Sequence, residues 1–223
     1  MFPAGRPLRK GSFLYLLVMI LAMLVISPLI EEFIHLRLLM DLFWTAIFIA
    51  AVYAVSHKKQ YLAIGVLLGM PMVVSIWSAH ALKHTGLFLL GHLCGAAFFV
   101  FTIVQILVFI YKQERVSKDL IVGAALVYLL MALAWAFIIA IVETVHPGSY
   151  AMTQDAGPRI TQDLLYYSFV TITTLGYGDI TPVTRLARAL CVIEAVIGQL
   201  YLVVSVAWLV GMHVSQKMRE RSK

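Results

Sequence analysis

Six long apolar runs, seldom broken by a charge, fill most of the 223 residues and restrict the fold more than anything else in the chain. They lie at about Phe13–Ile30, Leu36–Ser56, Tyr61–Ala79, Leu87–Tyr111, Asp119–Val145 and Arg185–Ser215. About 20 apolar residues in a helix cross a hydrocarbon core of about 30 Å. Inside lipid every backbone N–H and C=O must find a partner within the protein, which leaves helices or a closed barrel. Runs of this length predict helices, so the expected class is an all-α membrane protein. Composition agrees: 62% of residues are hydrophobic and only 13% are charged, about half the charged share of a soluble domain. Cys94 and Cys191 both fall inside apolar runs and read as small buried residues, with no disulfide or metal site implied.

The basic residues set an orientation. With the N-terminus inside, the inner segments hold Arg6, Arg9, Lys10, Lys58, Lys59, Lys112, Arg115, Lys118, Lys217, Arg219, Arg221 and Lys223. The outer segments hold Arg37, Lys83, Arg159, Arg185 and Arg188, so twelve stand against five and all 17 are used. The positive-inside rule then predicts six spans in the cell membrane with both termini cytoplasmic. It also accounts for the net charge of +6 without nucleic acid, and no nucleotide partner is expected. A basic start before an apolar run also fits a signal peptide, but no small-x-small cleavage site follows cleanly. The first run is therefore read as a span.

Between the fifth and sixth spans lies Thr173-Thr174-Leu175-Gly176-Tyr177-Gly178-Asp179. Glycine reaches backbone conformations closed to other residues, so this run can extend with successive carbonyls turned to one side. Non-helical backbone at membrane depth survives only where protein buries it or water reaches it. Four copies around an axis would stack rings of carbonyl oxygens able to replace the water around a cation. Residues 174–179 closely resemble the selectivity filter of potassium channels, where carbonyl-lined pores of this kind are established. Leu175 stands where valine is usual.

The resemblance implies K+ ions, as permeant species and not as a cofactor, held by the carbonyls of Thr174, Leu175, Gly176 and Tyr177, with Gly178 completing the filter. One chain carries one such loop and no internal repeat, so a closed pore implies a homotetramer. Residues 161–173 are too short to span and read as a re-entrant pore helix about 20 Å long, with Thr161 as its N-cap. Its carbonyl end carries roughly half a negative charge, which would favour a cation below the filter. Tyr166 and Tyr167 occupy positions where related voltage-gated channels carry two tryptophans, and imply a cuff of filter support. The Tyr166 hydroxyl is the expected partner of Asp179. Some channels place a glutamate where this chain has Val170.

Gly198 lies 19 residues after Asp179, matching the inner-helix hinge of related channels. A mid-helix glycine costs about 1 kcal/mol against alanine, and either bending or close helix packing would justify it. From there Leu202, Val206 and Val210 recur at i, i+4 and i+8, a stripe that the family alignment assigns to the pore lining. A lipid-facing stripe would read the same. Glu194 is an acid in an apolar span; it is expected to face protein behind the filter, since facing lipid at the centre would cost about 2.5–3.5 kcal/mol. A neutral, satisfied carboxyl and a modulatory role are both open.

Six spans with the pore last resemble the voltage-gated family, whose fourth span carries regularly spaced arginines. Here residues 87–111 contain no Arg or Lys, and His92 alone can become positive. Moving one charge through 100 mV supplies about 2.3 kcal/mol, so this span cannot drive steep voltage gating. Asp41 and His92 lie at similar depth near the outer side and are expected partners. Histidines 35, 80, 84, 92 and 146 fall on or near that side, which leaves external proton sensitivity open.

The expected organisation is a peripheral four-helix unit at 1–116, a pore unit at 117–216 and a short basic cytoplasmic tail at 217–223. The expected function is a passive, potassium-selective channel that is not an enzyme and lacks room for a ligand-binding domain. A weakly selective cation channel and a silent regulatory subunit are the alternatives.

Overall fold

The structure, a computed structural model, describes residues 11–30, 37–56, 58–78, 85–113, 115–152 and 160–221. His35, His80, His84 and the Gly157-Pro158 turn lie outside the described residues. Five helices come first: α1 (Ser12–Ile30), α2 (Arg37–Val55), α3 (Lys59–Ser78), α4 (Thr85–Tyr111) and α5 (Lys118–Val145). They are followed by strand β1 (Tyr150–Met152), helix α6 (Ile160–Ile172), strand β2 (Ile180–Pro182) and helix α7 (Arg185–Arg221). By length and composition α3, α4, α5 and α7 can each cross a membrane. In α1 and α2 the apolar stretches among the described residues are shorter, Ser12–Ile26 and Leu39–Val55.

Local chemistry explains where α5 begins. Ser117 is extended (φ −126°, ψ 162°) and its side chain accepts the Leu120 N–H at 3.2 Å, while Asp119 sits in the positive first turn. Two boundaries differ from expectation. Thr161 is not the cap of α6, because the helix already includes Ile160. The expected tail is largely helical as well, since α7 runs on to Arg221. Residues 216–221 contain neither Gly nor Pro, are mostly good helix formers, and place Arg219 and Arg221 at the negative end of the helix.

The core is aromatic where α2, α4 and α5 meet. Trp44 meets Phe137 edge-on at 5.4 Å, and Phe99 lies 5.5 Å from the same ring. From α1, Leu16 and Ile20 are fully buried, and Phe13 sets its edge against Phe109 at 5.3 Å. One continuous cluster takes in α1 through α5 and reaches Leu165 and Ile172 of α6. It crosses the expected boundary at 116/117, so the peripheral helices pack directly on the α5 of their own chain. A second cluster of Ile139, Ala140, Tyr150, Leu164, Tyr167 and Ala187 seats α6 and the strands against α5 and α7. By contrast α7 leaves Val192, Leu200, Val203, Val206 and Val210 exposed. An apolar helix this bare needs lipid or another chain beside it.

Candidate functional site

α6 ends by handing its free carbonyls to the run that follows. Thr173 N–H donates to Phe169 O (3.2 Å) and Thr174 N–H to Thr171 O (3.0 Å). Leu175 and Gly176 both donate to Val170 O, at 2.9 and 3.3 Å. These bonds satisfy the last turn of the helix and fix where the extended segment starts. From there φ is positive at every second residue: 60° at Thr174, 56° at Gly176 and 80° at Gly178. Glycine takes these values without steric cost; threonine does so at about 1–2 kcal/mol, and its hydroxyl bonds Thr173 O at 2.6 Å. Alternation of this kind brings successive carbonyls toward one side. Among the described residues no hydrogen bond uses the carbonyls of 174–178, which leaves a row of free acceptors. The side chains of Leu175 and Tyr177 are exposed.

Behind this run, Tyr166 donates its hydroxyl to Asp179 Oδ2 at 2.8 Å, and Asp179 Oδ1 accepts the Ile180 N–H at 3.0 Å. That bond pushes the Tyr166 phenol up to about 12. Tyr167 is buried and meets Tyr150 edge-on at 5.3 Å; Val170 is also buried. β1 and β2 pair antiparallel with Tyr150 opposite Pro182. Both oxygens of Glu143 bind the turn before β1, accepting Gly148 N–H at 2.8 Å and Tyr150 N–H at 3.0 Å. Arg188 Nε donates to Pro182 O at 3.2 Å on the other strand. Burial pushes the Tyr150 phenol up as well. Glu143 was missed in the sequence; its only signal there is an acid in the last turn of a span, just ahead of Pro147-Gly148.

At the C-terminal end of α6, Tyr128 on α5 donates to Ile172 O at 2.8 Å, with Gln199 Nε2 on α7 at 3.5 Å from the same oxygen. The last carbonyl of α6 is thus shared by both flanking helices. Gly198 packs on Ile172: a Cβ there would lie 2.5 Å from Cγ1 and 3.1 Å from the carbonyl oxygen. Close packing is therefore reason enough for this glycine, and α7 continues through it. Glu194 is fully buried with Oε1 2.5 Å from Ser168 Oγ. Leu202 is half-buried, while Val206 and Val210 are exposed.

The expected pairing of Asp41 with His92 does not form as a hydrogen bond. His92 Nδ1 sits 2.9 Å from Phe88 O, Nε2 has no hydrogen-bond partner among the described residues, and the ring stacks on Phe88 at 3.8 Å. In the first turns of a helix the nearest acceptor for a histidine is its own i−4 carbonyl, and the aromatic neighbours complete the site. Asp41 is buried on α2, where its backbone oxygen accepts the Thr45 hydroxyl at 2.7 Å.

No curated protein matches the chain. Residues 120–214, from the first turn of α5 to near the end of α7, match the family model described as "Ion channel". Together with the apolar helices, this match indicates a multi-pass membrane protein whose C-terminal part is similar to ion channels, a likeness that points to transport and not to catalysis.

Proposed function

We propose that four copies of this chain surround a pore that passes K+ passively across the cell membrane. The observation that carries the reading is the alternation of φ at Thr174, Gly176 and Gly178, with carbonyls along the run that no hydrogen bond among the described residues uses. Rings of such oxygens replace a cation's hydration shell. On this reading Thr174, Leu175, Gly176, Tyr177 and Gly178 form the filter, and Tyr166, Tyr167 and Asp179 support it. Leu202, Val206 and Val210 line the inner cavity, and Gly198 doubles as a hinge. The bare apolar face of α7 favours assembly, since a pore-lining helix must leave one face to its copies and its own lumen. Both termini are cytoplasmic, all six apolar helices span, and the protein is not an enzyme.

Reconstitution tests this. Purified protein should be a tetramer, and its vesicles should pass K+ well above Na+. Gly178→Asp should abolish flux or selectivity, because it sets a charged side chain at a position of positive φ. Equal Na+ flux in the native protein would indicate a weakly selective cation pore, and tetramers without flux a silent subunit. A monomer would defeat the proposal.

A further inference from the structure

Ser168 on α6 has one hydroxyl proton and two oxygen neighbours. Its Oγ lies 2.8 Å from the backbone oxygen of Ala132 on α5 and 2.5 Å from Oε1 of Glu194 on α7. Both are hydrogen-bond distances for O–H···O contacts, and a hydroxyl donates once while accepting elsewhere. If the hydroxyl donates to Glu194, its lone pairs face the Ala132 oxygen with no proton between them. If it donates to Ala132, the proton in the shorter contact must come from Glu194. Only the second arrangement places a proton in each contact.

The surroundings agree. Ser168 and Glu194 are fully buried, and Glu194 Oε2 is buried without a hydrogen-bond partner among the described residues. A neutral carboxyl tolerates that far better than an ion does. Tyr150 of β1 lies within electrostatic reach of Glu194, of Glu143 on α5 and of Cys191 on α7, with Tyr167 of α6 packed against it. None of these groups is a cation.

We infer that Glu194 is carried protonated and is a positioning residue for the filter. Its carboxyl proton closes a chain from Glu194 through Ser168 to Ala132 that ties α7, α6 and α5 together. Ser168 stands two residues before Val170, whose carbonyl anchors Leu175 and Gly176. Removing the proton leaves one hydrogen for two contacts and a buried anion with no cation among its named neighbours. α6 then loses one of its two neighbours at this point, and the filter loses part of its footing.

The full chain in vesicles tests the inference with Glu194→Gln and Ser168→Ala. Glutamine keeps a donor at this position that does not titrate. Infrared difference spectra of native protein against Glu194→Gln should show, at neutral pH, the carbonyl stretch of a protonated carboxyl that the variant lacks. K+ flux should fall in the native protein as pH rises, and should be independent of pH in Glu194→Gln. Ser168→Ala should shorten the duration of flux whatever the pH. A carboxylate band in place of the protonated one, or the same pH profile in Glu194→Gln as in the native protein, would overturn the inference. The flux arm rests on the pore reading and the infrared arm does not. A protonated band with no flux in any variant would therefore sink the pore reading and keep the proton assignment.

Discussion

Asp179 holds two groups at the end of the run proposed as the filter: the Tyr166 hydroxyl on one oxygen and the Ile180 N–H on the other. A hydrogen bond to a charged group contributes about 1.5–3 kcal/mol when buried, and about 1 kcal/mol is the better figure for a pair as exposed as this one. Tyr166→Phe keeps the ring and removes the bond, so current should decay faster under steady conditions while selectivity is at first intact. Unchanged decay would detach the pair from filter stability. The pH dependence has a definite sign. The phenol of Tyr166 sits at about 12 in the folded chain, above the ordinary tyrosine value of about 10. The stabilisation it gives is complete below that ordinary value and is lost only as pH rises through the folded one. Current decay should therefore not change through mildly alkaline pH on account of this pair. Tyr166 and Asp179 were legible in the sequence because they flank one short motif. Ser168 was not, since its carboxylate partner Glu194 lies 26 residues away and gives no local pattern; Glu143 was not, since it binds backbone N–H groups of Gly148 and Tyr150, which any sequence supplies.

Within elements, α7 poses the clearest test, because packing and bending assign different costs to the same glycine. An alanine at 198 would press on a backbone oxygen as well as on a side chain of Ile172. Overpacking of that kind costs about 1–3 kcal/mol, against a gain of about 1 kcal/mol in helix propensity. Gly198→Ala should lower the thermal stability of the detergent-solubilised protein or its yield of folded material. Gly211, with nothing within 4 Å of its would-be Cβ, is the control, and Gly211→Ala should be neutral or slightly stabilising. If Gly198→Ala alters only opening kinetics and leaves stability untouched, bending is the reason for the glycine. Helix positions were the most readable part of the sequence, since a run of apolar residues both ends and begins near its polar punctuation. The ends of α6 and α7 were less readable: Thr161 offers a plausible cap one residue inside the true start, and Gln216–Arg221 are polar yet good helix formers.

At the scale of the molecule, the proposed channel makes the fourth helix a question of gating. α4 has no Arg or Lys, and its one histidine is buried between aromatic rings. Even four charges crossing 100 mV would supply only about 9 kcal/mol, and a residue this near one end would cross little of that field. Open probability should therefore vary weakly with voltage. Any residual dependence should follow the permeant ion and survive His92→Ala; a steep curve flattened by changes within α4 would contradict this. The six apolar runs made a bundle legible, yet not its core, because periodicity fades in helices that are apolar on every side. Residues such as Trp44, Phe99 and Phe137 meet through tertiary contact alone. The core they build runs unbroken from α1 to α6 within one chain, and only residues 112–117 separate α4 from α5. A newly made subunit can thus finish its peripheral packing before it meets another. In the proposed tetramer, damage to α1–α4 of one copy should be inherited by that copy's own quadrant, with the defect growing in proportion to gene dose and no single faulty chain disabling its neighbours through exchanged parts.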